Sequence, residues 1–389
     1  MTKTFKEINE KIRRGEAVVV DAEEIIGIVE SDGLDKAAKE VDVVTTGTFG
    51  AMCSSGVFLN TGHSDPPIKI TKAYLNNINA YAGLAAVDLY LGATELDENC
   101  NMKYGGAHVI QDLVDGKDVE LTATAYGTDC YPRKEIRANV NLASLNQAVL
   151  CNPRNSYQNY AVATNCSERT IYTYMGTLLP RNRNATYSSA GQLSPLLNDP
   201  YYLTTGIGTR IFLGGAHGYV YWHGTQHNPA AERKPNGTPV GPAGTLAVVG
   251  DLKEMSSKYL RAASLHRYGT SLYVGIGVPI PILNKDILSY ASVRDEDIYA
   301  RIIDYSVPRR TKPALGEVNY KQLRSGKIEI NGKTVATGGM SSYSKAKCIA
   351  QELKRQIENN EFLLQKPISR LPNDTLQNPL DIRDSEVKK

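Results

Sequence analysis

A cysteine held in a polar loop just beyond a strand is placed to act as a nucleophile, and this chain of 389 residues has two candidates. In VELTATAYGTDCYPR, residues 119–133, Val119, Leu121, Ala123 and Ala125 alternate with Glu120, Thr122, Thr124 and Tyr126. That period of two predicts a strand with two unlike faces. Gly127 breaks it, and the loop beyond offers Asp129, Cys130 and Arg133. In α/β proteins the chemistry commonly sits past the carboxyl end of a strand. Arg133 and Lys134 favour the nucleophilic thiolate, while Asp129 opposes them. The competing reading of Cys130 is a small buried hydrophobe, a common fate of free cysteine.

The second candidate lies in GTFGAMCSSGVFLNTGHSDPPIKI. There Gly47, Gly50, Gly56 and Gly62 allow sharp turns around Cys53, Ser54 and Ser55. Neither a Walker pattern nor GxGxxG is present, so nucleotide phosphates are poorly supported as ligands. A packed glycine turn around a core thiol is the plainer alternative. His63, close to Asp65, could do acid–base work or merely hydrogen-bond within its Asp-Pro-Pro turn. Arg154, Tyr157 and Tyr160 of NPRNSYQNY, and Arg210 of GIGTR, are candidates for holding a carboxylate, which arginine grips with paired hydrogen bonds. Surface salt bridging competes for each of them. His217, His223 and His227 resemble a metal set only superficially. Gly224 and Pro229 deny His223 and His227 the helix their spacing needs, and short-spaced cysteine pairs are absent, so no metal is expected. A cluster on Cys130, Cys151 and Cys166 has no CxxC run behind it.

Net charge is +3 with 22% charged residues, so neither nucleic acid nor a membrane surface is expected as main partner. No apolar run approaches the ~20 residues that span a bilayer, and a cytoplasmic location is expected. The six cysteines, which include Cys100 and Cys348, are then expected to be reduced thiols. Tyrosines outnumber phenylalanines 23 to 5, placing many amphipathic rings near polar sites.

The elements that must position these groups read as α/β: mixed sheets with strand–Gly-loop–helix units, then a C-terminal hairpin and helix. Helices are expected at Phe5–Arg14, Ala22–Glu30 (capped by Asp21), Leu34–Glu40, Tyr81–Leu91, Val109–Val114, Glu254–Leu265, Ile287–Tyr290, Glu296–Ile303 and Lys345–Asn359. Strands are expected at Ala17–Val20, Val41–Thr46, Thr245–Val249 and Ser271–Gly275. Asn331-Gly332, between Lys327–Ile330 and Lys333–Ala336, predicts a type I′ hairpin. Cys348 falls on the polar face of its helix. Residues 1–305 read as a catalytic α/β domain and 306–365 as connector, hairpin and helix packed on the core. Residues 366–389 read as a loose tail.

The stretches GTFGAMCSSGVFLNTGHSDPPIK, GGAHVIQDLVDGKDVELTATAYGTDCYPR and NQAVLCNPRNSYQNYAVATN together resemble the homocysteine-biosynthesis family, the L-aspartate-semialdehyde sulfurtransferases of archaea and anaerobes. YTYMGTLLP, TGIGTRIFLGGAHGYVYWHGTQHNP and SLYVGIGVPIPILN extend the likeness over about residues 2–367. The resemblance implies a persulfide-carrying cysteine. By position in GTDCYPR that is Cys130, with Cys53 of AMCSSG as the second family cysteine.

The implied reaction adds persulfide sulfur to L-aspartate semialdehyde and makes homocysteine, with sulfide or another donor supplying the sulfur. Because no flavin or nicotinamide motif is present, the electrons are expected from a ferredoxin-type iron–sulfur protein, a partner the family also implies. No firmly bound cofactor is expected, and any iron–sulfur cluster is expected on that partner. Under this reading Cys130 carries sulfur, Cys53 loads or resolves it, His63 or His108 moves protons and Arg133 holds the substrate carboxylate. A homo-oligomer is expected. Two rivals stand beside it: a thiol-dependent aldehyde or acyl enzyme, and an iron–sulfur or sulfur-carrier partner module.

Overall fold

The computed structural model describes residues 2–99, 101–375 and 377–380, so Cys100 and the end of the tail lie outside the described residues. Its centre is an antiparallel nine-stranded sheet. From one edge the order is Leu260–Leu265, Gly269–Gly277, Arg210–Leu213, Ala216–His223, Leu246–Asp251, Gln147–Asn155, Gly56–Asn60 and Asp88–Gly92, with Thr48–Ala51 also pairing to Gly269–Gly277. Helix Gly106–Val114 packs on one region of this sheet. Helix Tyr343–Glu358 covers another, its Ala346, Ile349, Ala350, Leu353 and Ile357 stripe buried and Cys348 exposed on the far side.

A four-stranded antiparallel sheet carries Val119–Thr124, and burial alternates along it as the sequence predicts: Val119, Leu121 and Ala123 are inside. Because this sheet is antiparallel, the rule for carboxyl ends of parallel strands does not govern the Cys130 loop. A six-stranded mixed sheet joins Ala314–Asn319, Tyr299–Asp304, Val162–Thr164, Asn184–Tyr187, Lys333–Gly339 and Lys327–Ile330. It has its own core of Val162, Ala185, Ile302, Val318, Ile328 and Val335. The C-terminal hairpin is thus woven into strands from the middle of the chain. Asn331 at φ 50° and Gly332 at φ 73° make its turn, as Asn-Gly predicts.

At the start, Thr4 and Glu7 form a reciprocal cap on helix Phe5–Arg14, and Gly15 closes it at φ 69°. Asp21 accepts from the Glu23 and Glu24 N–H groups just ahead of helix Glu24–Asp32, whose N-cap is Glu23 rather than the expected Asp21. Fully buried Asp42 accepts from Lys11 Nζ at 2.8 Å and from the Val18 N–H, and pairs with Lys3 at 3.0 Å. It ties the helix to the parallel pair Val19–Asp21 and Val43–Thr45.

Three helices expected from sequence are strands. Tyr81 bridges Tyr90, and Asp88–Gly92 buries Leu89 and Leu91 against Gly56–Asn60. Its alternation is too short to separate from helical spacing until a partner strand is present. Leu260–Leu265 pairs along its whole length with Gly269–Gly277, leaving only a short 3₁₀ turn at Leu252–Glu254. Tyr299–Asp304 follows a 3₁₀ turn and buries Ala300, Ile302 and Asp304 on one face. The tail is anchored at its beginning. Ser369–Arg370 pairs with Gly206–Ile207, Leu371 is buried and the Pro372 carbonyl lies 2.8 Å from His227 Nε2.

Candidate active site

Where the central and six-stranded sheets meet, a cavity of about 370 Å³ opens, within the size range of small-molecule sites. Cys53 enters from the turn after Thr48–Ala51, and Arg154 from a bulge at the end of Gln147–Asn155. Tyr174 stands on the turn between Ile171–Thr173 and Gly176–Leu178, and Met340 and Ser341 precede the last helix. The 306–365 segment therefore helps wall the site rather than merely backing the core.

One buried side chain binds the two halves of the cavity. Asn152 donates from Nδ2 to Ser55 Oγ at 2.7 Å, while its Oδ1 accepts from Ser54 Oγ at 2.9 Å and from the Arg154 N–H at 2.8 Å. Ser54 Oγ also reaches the Arg154 carbonyl at 3.0 Å. The Cys53 turn and the Arg154 backbone are thus one hydrogen-bonded unit. Half-buried Cys53 places Sγ 3.3 Å from Ser271 Oγ. The Arg154 Nε and Ser156 Oγ, both at the cavity, are buried without a partner, a configuration that favours an incoming acceptor. At Gly50 a Cβ would come within 2.6 Å of Ser341 Oγ, so a side chain there requires that hydroxyl to move.

Cys130 occupies a different place. Thr128 and Tyr131 exchange backbone hydrogen bonds at 2.9 and 3.1 Å, so Cys130 stands exposed on a tight turn. His63 stacks on Tyr131, the neighbour of Cys130, at 5.7 Å. Arg133 donates to the Asp65 and Pro66 carbonyls and pins this turn to the His63 loop. Strand Gly56–Asn60 runs between Cys53 and His63, roughly 13 Å of extended chain at ~3.3 Å per residue, so the two thiols lie towards opposite ends of it.

The other singled-out residues stand apart from both groups. His108 accepts the Gly105 N–H on Nδ1 at 3.3 Å, stacks on Tyr104 and has its pKa lowered by burial. Arg210 lies over Tyr219 and Phe362 and reaches the Leu363 carbonyl at 3.5 Å, pinning the segment after the last helix. Cys130, Cys151 and Cys166 belong to three separate sheet regions. Cys151 is 3.5 Å from the Tyr221 hydroxyl, and Cys166 is beside Asn182 and Asp304, so the trio does not converge on a cluster. Among the described residues no group of three or more His, Cys, Asp or Glu could hold a metal ion. His227 is a buried structural group, its ring between the Thr245 and Pro372 carbonyls.

Sequence reasoning missed Asn152, Tyr174 and Tyr268. The only signal for the rings was the excess of tyrosine over phenylalanine. Tyr157 and Tyr160, singled out with Arg154, do line the cavity.

Comparison with known proteins supplies the remaining findings. A family model described as homocysteine biosynthesis enzyme, sulfur-incorporation, matches residues 17–364. The chain is 56% identical over 369 residues to an L-aspartate semialdehyde sulfurtransferase of Methanosarcina acetivorans, covering 95% of this chain and 72% of the relative. It is 55% identical to the protein of that name in Methanocaldococcus jannaschii, over 98% of this chain and 76% of the relative. An uncharacterized protein of Methanothermobacter thermautotrophicus is 30% identical over 83% of the chain and 72% of its own length. No solved structure matches.

Proposed function

The chain belongs to the homocysteine-biosynthesis, sulfur-incorporation family, and from that premise we infer that it is an L-aspartate semialdehyde sulfurtransferase. The observation carrying this reading to residues is the joining of Cys53 and Arg154 in one cavity by Asn152. Arg154 takes the substrate carboxylate, with its buried unpartnered Nε and the adjacent Ser156 hydroxyl ready for an acceptor. Cys53 stands in the same cavity and meets the aldehyde end. Cys130, exposed on its turn near His63, is suited to attack a polysulfide or donor persulfide, taking one sulfane sulfur as its own persulfide while the donor leaves one sulfur shorter. His63 is placed to move a proton there.

Attack of the persulfide's outer sulfur on the aldehyde, followed by reduction with four electrons and four protons in all, gives the primary thiol, the free cysteine thiol and water. A ferredoxin-type iron–sulfur protein supplies the electrons, each passed singly. Transfer of sulfur from Cys130 to the cavity requires the two to meet, and their placement at opposite ends of one strand argues for delivery between copies of the chain.

Mass spectrometry of the protein treated with polysulfide, which brings sulfur already at the sulfane level, tests the loading step. One added sulfur on Cys130, absent in Cys130→Ala, is the expected result. Normal homocysteine formation by Cys130→Ala sinks the assignment. A thiol-dependent aldehyde enzyme would instead form an adduct with the semialdehyde and make no homocysteine after polysulfide loading.

A further inference from the structure

Among the described residues that line it, the cavity has one charged side chain, Arg154, and no Asp or Glu. An amino-acid semialdehyde brings two charges besides its aldehyde, a carboxylate and an ammonium. Arg154 answers the first; among the described lining residues no carboxylate answers the second. Tyrosine is what faces the space instead: Tyr157, Tyr160, Tyr174 and Tyr268 all line it. They pack at steep angles, Tyr157 on Tyr160 at 5.2 Å and 77°, Tyr160 on Tyr174 at 6.2 Å and 75°, and Tyr174 on Tyr268 at 6.2 Å and 63°. Such packing turns ring faces in several directions about a shared space rather than stacking them face to face.

Other tyrosines of this chain carry a cation from the chain itself: Arg267 lies 5.3 Å over Tyr172, and Lys312 lies 5.9 Å over Tyr305. Among the described residues no lysine or arginine lies over Tyr157, Tyr160, Tyr174 or Tyr268. Hydroxyl positions add to this. Tyr160 and Tyr174 are 3.0 Å apart through their oxygens, and Tyr174 and Tyr305 3.2 Å, which fixes the Tyr174 ring at the centre. Burial keeps Tyr157 protonated despite nearby Arg154, and burial together with Cys53 does so for Tyr268, so the rings act as neutral π-faces.

We propose that Tyr157, Tyr160, Tyr174 and Tyr268 form an aromatic box that holds the α-ammonium group of the substrate, with Arg154 holding its carboxylate. The box makes the cavity select amino-acid aldehydes over the same aldehydes without the amino group. Electrostatic attraction to ring quadrupoles strengthens as the cation is desolvated, and this partly closed site supplies that condition. The proposal rests on the sulfurtransferase reading for the identity of the substrate, and its test does not depend on turnover.

L-homoserine and γ-hydroxybutyrate differ only in the ammonium group, and titration calorimetry measures the affinity of the full chain for each. The native protein should prefer L-homoserine. Tyr268→Leu should cut that preference by about 3- to 30-fold, and Tyr268→Phe, which keeps the ring, should retain it. The same pair of changes at Tyr157 should repeat the pattern, which guards against one variant failing to fold. Equal affinity of the native chain for both probes overturns the box, as does Tyr→Leu weakening both probes equally. Failure to make homocysteine in a separate turnover assay would count against the activity and leave the affinity ratio standing as its own result.

Discussion

Buried between the Ser54–Ser55 turn and the Arg154 main chain, Asn152 uses both ends of its amide to hold two distant segments in register. It touches neither thiol, so its role is positioning. Asn152→Ala leaves Ser55, Ser54 and the Arg154 N–H to find new partners in a buried place, at a cost of about 2–3 kcal/mol. Even at temperatures where the variant stays folded, kcat/KM for the semialdehyde should fall by at least about tenfold, since small misplacements are costly when geometry is pre-set. Urea unfolding gives the first quantity and steady-state assay the second. Loss of stability with unchanged kcat/KM would refute the positioning role. Sequence singled out Arg154 but not Asn152, because an asparagine near a proline reads first as a turn residue.

Among the elements, the N-terminal helix depends most visibly on a single charge. Burial opposes ionisation of Asp42, but hydrogen bonds from Lys11, the Val18 N–H and Lys3 outweigh it and hold its pKa below the ordinary carboxylate value. A depressed carboxylate contributes stability that is present above its unfolded pKa of about 4 and is lost as pH falls through the folded value. Asp42→Asn should therefore cost about 2–3 kcal/mol near neutrality, where two lysines lose a buried partner. As pH falls from about 4 through the lower folded value, the variant and the native chain should converge. Chemical denaturation at a series of pH values checks both, and a gap that persists unchanged into acid would contradict the linkage.

For the whole molecule the proposed reaction raises the question of how thiols lying towards opposite ends of Gly56–Asn60 could act together. If delivery occurs between copies, mixing Cys53→Ala with Cys130→Ala protein should restore homocysteine formation to about a quarter to a half of the native rate. This follows from mixed assemblies in which one copy keeps its cavity and the other its exposed turn. Each variant alone should be inactive. No recovery after denaturing and refolding the mixture would confine transfer to single chains and point to movement of the Thr128–Tyr131 turn. No helix among the described residues is long and apolar enough to cross a membrane.

What sequence settled unaided was what neighbouring residues settle among themselves. The Thr4–Glu7 cap, the alternation through Val119–Thr124, the Asn331-Gly332 turn and the stripe of the last helix all rest on contacts within a few residues. Long, distinctive motifs also carried the family. Tertiary structure decided Tyr81–Leu91, Glu254–Leu265 and Glu296–Ile303, where pairing with remote strands overrides a helix-compatible composition. It alone joined Cys53 to Arg154 and gathered Tyr174 and Tyr268 beside them, because residues so far apart in the chain converge only when sheets pack. Local rules reach one turn or one hairpin; a cavity is a property of the packed whole.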